Sequence, residues 1–68
     1  MAKMTLKAAR VNVDLSQKDA AVALGISNKT LGNWESGVSF PKASQIASIC
    51  DLYKVTYDDL IFLPSNSL

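Results

Sequence analysis

Gly25 divides the most constraining part of this sequence into two short helical segments. Ser16 and Ser27 are each placed to cap a helix, because a serine hydroxyl accepts a backbone N–H of the first turn. Gly25 fits the left-handed conformation that ends many helices, since glycine has no Cβ to clash there. The second helix turns Leu31 and Trp34 inward and leaves small polar side chains outside. The segment therefore predicts two helices crossing at a tight turn.

Length and composition favour one small domain without catalytic or metal chemistry. The 68 residues are 49% hydrophobic, which suffices for one core. The sequence has no histidine, and its single cysteine, Cys50, has no partner for an internal disulfide or a cysteine metal site. We therefore predict one domain over residues 1–68, ordered at about residues 4–63. We predict no enzymatic activity, no metal, no cofactor and no small-molecule substrate.

The apolar runs are short, which predicts a cytoplasmic protein without a membrane partner. The longest aliphatic run, residues 20–24, is far below the ~20 residues that a transmembrane helix needs. No apolar stretch near Lys3 and Lys7 is long enough for a signal peptide. A reducing compartment also fits the single cysteine.

Charge is unevenly distributed, although the net charge is only +1. Residues 1–50 contain six basic and three acidic side chains, whereas residues 51–68 contain one basic and three acidic. One end of the domain is therefore suited to phosphates, and the other faces away or meets a partner. A random mixture of surface charges is the alternative.

Apolar periodicity predicts an all-α fold with five helices and no strands. The first helix covers about residues 5–12, and the second and third begin after Ser16 and Ser27. The fourth runs from residue 42 or 43 to 53. The fifth follows Thr56, which pairs with Asp59 in a pattern like a capping box, and ends at Pro64. Predicted inward positions are Leu6, Ala9, Arg10, Val13, Ala20, Ala21, Leu24, Leu31, Trp34, Ile46, Ile49, Cys50 and Tyr53.

An ordered set of residues resembles the Cro and phage-repressor helix-turn-helix family, also called Xre-type regulators. The set comprises Leu15-Ser16-Gln17, Ala21, Gly25-Ile26-Ser27, Leu31, Trp34-Glu35, Gly37, Pro41 and Val55-Thr56-Tyr57-Asp58-Asp59-Leu60. The resemblance covers about residues 4–63. It implies a compact five-helix, lambda-repressor-like domain that binds double-stranded DNA, with the third helix in the major groove.

Three polar residues of the third helix are the candidates for contacts with bases: Asn28, Lys29 and Asn33. An asparagine amide pairs with the N6/N7 edge of adenine, and a lysine donates to guanine O6/N7. Asn28 and Lys29 lie at the end of the helix that normally enters the groove. An ordinary solvated helix face is the alternative for all three.

The resemblance also implies a set of contacts with the DNA backbone. The candidates are Ser16, Gln17, Thr30, Ser36, Ser39 and Lys42, aided by backbone N–H groups of the loop before the fourth helix. By match to the family, Gln17 clamps a phosphate and braces Asn28. A solvated residue at the start of a helix is the alternative for Gln17.

Three further expectations concern structure more than contact with DNA. Arg10 and Glu35 match a partly buried salt bridge of the family, with two independently solvated side chains as the alternative. Phe40 is expected to fill the core. Gly32, in the middle of the third helix, either allows the backbone to approach the groove closely or has no function.

The apolar run at residues 60–63 exceeds what one helix face can bury. We therefore predict a homodimer through Ile61, Phe62 and Leu63, with packing against the first helix as the alternative. Two recognition helices about 34 Å apart would meet successive major grooves of a near-palindromic operator. The sequence thus predicts a transcriptional regulator, most simply a repressor in a bacterial nucleoid or a phage-infected bacterium. The alternative is a protein-interaction module, such as an antitoxin or anti-repressor partner, with the same fold.

Overall fold

Hydroxyl side chains begin the first three helices. Thr5 Oγ1 accepts the N–H of Ala8 at 3.1 Å, and Ser16 Oγ accepts that of Asp19 at 3.0 Å. Ser27 Oγ likewise accepts the N–H of Thr30 at 3.0 Å. Each bond satisfies one of the backbone donors that a helix leaves free at its start. The N-caps predicted at Ser16 and Ser27 are confirmed.

The computed structural model describes residues 3–62. Along the chain it contains strand β1 (Met4–Thr5), helices α1 (Leu6–Asn12), α2 (Gln17–Leu24), α3 (Asn28–Ser36) and α4 (Ala43–Tyr53), a 3₁₀ turn (Tyr57–Asp59) and strand β2 (Leu60–Ile61). No helix within the described part of the chain is long and apolar enough to cross a membrane.

Gly25 ends α2 in the left-handed conformation, with φ 71° and ψ 31°. The backbone N–H of Ile26 then donates to Ala21 O at 3.0 Å, which closes the last turn and starts the chain toward α3. Two residues later Ser27 begins α3. The tight turn between the two helices is therefore as predicted from the glycine and the serine.

The core lies where four helices and β2 meet. Its buried members are Leu6, Ala9, Ala20, Ala21, Leu31, Trp34, Ile49, Tyr53 and Leu60. Ala20 and Ala21 are both fully enclosed, which allows α2 to approach its neighbours closely. The predicted inward positions hold except that Ile46 and Cys50 are only half-buried, as are Val13 and Leu24.

The prediction of a fifth helix is wrong, since residues 3–62 form four α-helices. The chain makes a single 3₁₀ turn over Tyr57–Asp59, in which Asp59 Oδ2 accepts the N–H of Thr56 at 3.0 Å. The Thr56–Asp59 pairing is therefore present, but no helix continues from it. Pro64 disfavours helical backbone at the residue before it. A helix starting after Thr56 would have at most two turns. The chain instead continues into strand β2, in which alternate residues are buried.

Strand β2 pairs in parallel with β1, in the register Met4 with Leu60 and Thr5 with Ile61. The absence of strands was therefore also predicted wrongly. Leu60 points into the core and is 5% exposed, Ile61 points outward and is 42% exposed, and Phe62 packs against the core again. This alternation has the period of a strand rather than of a helix.

Candidate nucleic-acid interface

The start of α3 presents Asn28 and Lys29 to solvent. Both side chains are exposed, and they occupy the first two positions of the helix after the Ser27 cap. Leu31 and Trp34 anchor the opposite face of α3 in the core. Two of the predicted base contacts therefore lie together on an exposed helix end that is fixed from behind. Asn33, the third, lies further along α3 and is half-buried.

Four side chains behind this exposed end form one polar network, comprising Arg10, Glu35, Gln17 and Asn28. Asn28 Nδ2 donates to Gln17 Oε1 at 3.1 Å, and Gln17 Nε2 donates to Glu35 Oε1 at 3.1 Å. Arg10 Nε and Nη2 donate to the two carboxylate oxygens of Glu35 at 2.7 and 3.2 Å. The network connects α1, α2 and both ends of α3.

The ion pair at the base of this network is buried. The side chains of Arg10 and Glu35 are 8% and 6% exposed. Arg10 Nη1 also donates to Leu15 O at 2.8 Å, so each of the three guanidinium nitrogens donates a hydrogen bond. Its hydrogen bond to Glu35 raises the pKa of Arg10, against the opposing effect of burial. The expected pair of Arg10 and Glu35 is confirmed.

The candidates for phosphate contact lie on either side of α3. Ser16 and Gln17 open α2, and Ser16 is exposed whereas Gln17 is half-buried in the polar network. Lys42 is exposed at the start of α4, where its backbone N–H donates to Gln45 Oε1 at 2.7 Å. The Thr30 hydroxyl accepts a hydrogen bond from Ser27 Oγ at 2.9 Å. These groups flank the exposed end of α3 in sequence as the resemblance implies.

The loop after α3 offers fewer free backbone donors than expected. The N–H groups of Val38 and Ser39 both donate to Asn33 O, at 2.9 and 3.3 Å. Ser36 Oγ donates to the same carbonyl at 3.3 Å. These two N–H groups are therefore occupied by the end of the helix. The proton of the Ser36 hydroxyl is occupied as well, which leaves Ser39 and Lys42 as the candidate phosphate donors of this loop.

The family of the chain follows from a comparison with known proteins. A family model described as helix-turn-helix, of the Cro/C1-type and Xre-like, matches residues 6–60, which include α2, the Gly25 turn and α3. The chain belongs to this helix-turn-helix family. The family consists of DNA-binding regulators that are generally non-enzymatic. Comparison with curated protein sequences gave no match.

One apolar residue of this helix-turn-helix protein departs from its expected place. Phe40 was predicted to fill the core, but it is 51% exposed, and its neighbour Val38 is 64% exposed. Pro41 is buried in the same loop instead. The prediction was wrong because the loop turns Pro41, the next residue, inward and leaves Phe40 on the surface.

Gly32 lies on α3 directly against the side chain of Gln17. A Cβ added to Gly32 would lie 3.6 Å from Gln17 Nε2 and 3.7 Å from Oε1, which is ordinary van der Waals contact. The polar network therefore does not require glycine here.

The predicted dimer residues lie at the end of the described chain. Ile61 is exposed, and Phe62 is half-buried with its ring centroid 5.9 Å from that of the exposed Tyr57. Leu63 lies outside the described residues. Tyr57, which was not among the predicted dimer residues, thus lies beside Phe62.

Sequence reasoning missed the hydrogen bond between Gln17 and Glu35. It paired Gln17 with Asn28 and Arg10 with Glu35, as two separate contacts. Glu35 lies at the far end of α3 from Asn28, and only the packing of α2 against α3 brings Gln17 between them. Sequence spacing alone carries no signal for this link.

Proposed function

We propose that this protein is a sequence-specific transcriptional repressor that places α3 in the major groove of a near-palindromic operator. The observation that carries the proposal is the exposed end of α3, with Asn28 held by Gln17 and Lys29 beside it. A side chain that is already held in place loses less entropy on binding. A base-reading helix needs this combination of exposure and order.

Two chemistries on α3 support the reading of bases. The Asn28 amide has Oδ1 and one amide proton left after its bond to Gln17, which together match the N6/N7 edge of adenine. The Lys29 ammonium suits guanine O6 and N7. Asn33 lies further along α3 and has the same amide chemistry as Asn28.

Phosphate contacts would fix the register of α3 in the groove. The start of α2 offers free backbone N–H groups and the positive end of its dipole. Ser16 and the second amide proton of Gln17 add donors at that end. Thr30, Ser39 and Lys42 supply donors from α3 and the following loop, and Ser36 adds one by exchanging its bond to Asn33 O for a phosphate.

We further propose a homodimer through Ile61, Phe62 and Leu63, with Tyr57 beside Phe62. Ile61 and Tyr57 are 42% and 60% exposed, so the end of the described chain carries apolar surface that a second copy would cover. A symmetric dimer would present two α3 helices to half-sites about one helical turn apart. The protein then represses by covering its operator and blocking RNA polymerase, in the bacterial nucleoid or on phage DNA.

The first test is a selection from random double-stranded oligonucleotides at ~150 mM salt, where weak phosphate contacts are screened. An enriched inverted repeat supports both sequence reading and the dimer. No enrichment contradicts the proposal. The exposed side chains of Tyr57 and Ile61 would then favour the interaction-module function, and a search for a protein partner would follow.

A matched pair of lysine variants refines the test. Lys29→Gln and Lys54→Gln remove the same charge, from α3 and from the end of α4 respectively. We expect Lys29→Gln to cost about 1–3 kcal/mol of specific binding, measured by titration of the selected operator. Lys54→Gln should change the affinity little. Equal losses would show that charge alone, not base reading, drives binding.

A further inference from the structure

Glu35 lies at the inner end of a chain of side-chain hydrogen bonds that leads through Gln17 to Asn28 on the surface of α3. Gln17 stands between Glu35 and Asn28, and both of its hydrogen bonds measure 3.1 Å. The ion pair with Arg10 holds the Glu35 carboxylate in place, and both side chains are nearly enclosed. Asn28, at the outer end of these bonds, is exposed. A buried charge is thus connected to a candidate base-reading amide.

Hydrogen-bond chemistry allows only one orientation of the two side-chain amides between Glu35 and the surface. A carboxylate accepts hydrogen bonds and does not donate them, so the group of Gln17 that faces Glu35 must be its NH₂. The Gln17 amide oxygen then faces the other way, toward Asn28. That oxygen needs a donor, so Asn28 must present its NH₂ to Gln17. The direction of each amide follows from the one behind it.

The direction of the Asn28 amide determines what a base meets. With Nδ2 toward Gln17, Oδ1 points away from the network as an acceptor, and the second proton of Nδ2 remains as a donor. If the amide were reversed, the acceptor and the donor would exchange places relative to α3. Bidentate recognition of adenine requires each group at its own position on the N6/N7 edge.

We propose that Glu35 is a positioning residue for DNA recognition, whose carboxylate sets the direction of the Gln17 amide and through it that of Asn28. This inference rests on the proposed function, because it assumes that Asn28 reads a base. Glu35 itself does not touch DNA. Its burial in the ion pair keeps it from reorienting when DNA binds.

Glu35→Gln is the direct test because it keeps the size of the side chain and adds a donor. Glu35 Oε2 makes the shorter bond to Arg10, at 2.7 Å from Nε, so the amide oxygen of the variant is expected at that place. Its NH₂ then takes the place of Oε1, where it faces Gln17 Nε2 and replaces the longer, 3.2 Å bond from Arg10 Nη2. Gln17 then turns its oxygen inward, and Asn28 must reverse as well. In the free protein, NMR should show one hydrogen-bonded side-chain proton of Asn28 in the wild type, and loss of that shifted, protected resonance in E35Q.

A folded E35Q whose Asn28 side-chain resonances stay at their wild-type positions would overturn the proposal. If E35Q does not fold, the double variant Arg10→Met, Glu35→Met decides, since it removes the acceptor of Gln17 Nε2 and leaves no buried unpaired charge. Its Asn28 resonances should also leave the wild-type positions, and unchanged resonances contradict the proposal. Ile49→Val is the control, because it weakens the core on α4 without altering the polar network.

The consequence for recognition is measured on a selected operator. Asn28→Ala identifies the base pair whose preference depends on Asn28. We expect E35Q to reduce the preference at that pair about tenfold, within the range for one bidentate contact, and to leave binding to unrelated DNA within about twofold. A retained preference overturns the role of Glu35. If the wild type shows no sequence preference, the proposed function fails, while the NMR result still decides the direction of the amides.

Discussion

Tyr53 has a buried hydroxyl whose removal should stabilise the protein. The residue is 1% exposed, and its hydroxyl finds no hydrogen-bond partner among residues 3–62. A buried polar group without a partner costs about 1–3 kcal/mol. Tyr53→Phe removes that cost and leaves a void of about 10–15 Å³, worth only ~0.3 kcal/mol at ~24 cal/mol per Å³. We therefore expect a gain of about 1 kcal/mol in the free energy of unfolding.

The assay is thermal and urea unfolding followed by circular dichroism. For a domain of this size, a gain of ~1 kcal/mol raises Tm by about 4–8 °C. Tyr57→Phe is the matched control, since Tyr57 is 60% exposed, and its effect should stay within about 0.5 kcal/mol. If Tyr53→Phe is instead less stable than the control by ~1 kcal/mol or more, the hydroxyl is satisfied in solution and the reasoning is refuted.

The same residue gives the stability a dependence on alkaline pH. Burial raises the pKa of Tyr53 to about 12, with a smaller contribution from Glu35, whereas an unfolded tyrosine titrates near ~10. The unfolded chain thus loses this proton first as pH rises. The contribution of neutral Tyr53 is complete below about pH 10 and is lost as pH rises from ~10 to ~12. The stability difference between Tyr53→Phe and the wild type should widen over that window, and a constant difference would contradict this.

Three further substitutions test the packing. Gly32→Ala should add about 0.5–1 kcal/mol to the free energy of unfolding, because alanine favours the helix and its Cβ would lie at van der Waals distance from Gln17. A lower free energy of unfolding would mean that the Gln17 side chain needs the space. Arg10→Met should lower the free energy of unfolding by ~3 kcal/mol, because it leaves Glu35 buried and unpaired. The double variant Arg10→Met, Glu35→Gln should recover part of this loss in chemical denaturation, and additive losses would argue against the pairing. Leu60→Ala should cost ~2–4 kcal/mol, measured by urea unfolding, and a loss below ~1 kcal/mol would show that β2 does not close the core.

Local signals predicted the helix pair correctly. Ser16, Gly25 and Ser27 act through their own backbone and the next turn, so their effect is legible in the sequence. The paired helices α2 and α3 are close neighbours in the chain, and their inward alanines, leucine and tryptophan follow one period. The predicted positions of Asn28 and Lys29 at an exposed helix start depend on these same local rules.

Non-local contacts account for the errors. Leu60 and Ile61 have strand geometry because Met4 and Thr5, at the other end of the chain, supply the partner strand. The sequence of residues 56–62 alone does not indicate that β1 is the partner strand. The exposure of Phe40 and the bond between Gln17 and Glu35 likewise depend on how elements pack in space. These features become visible only when the tertiary structure is known.

The pairing of β1 with β2 also has a kinetic consequence. It joins positions about 56 residues apart, so the chain must close a long loop before these contacts stabilise it. Contacts between α2 and α3 span a much shorter separation and are expected to form earlier. Ribosomal synthesis proceeds from the N-terminus, so α2 and α3 are complete before β2 has emerged. Helix α3 would thus be assembled while the nascent chain still lacks β2, the segment that completes the core.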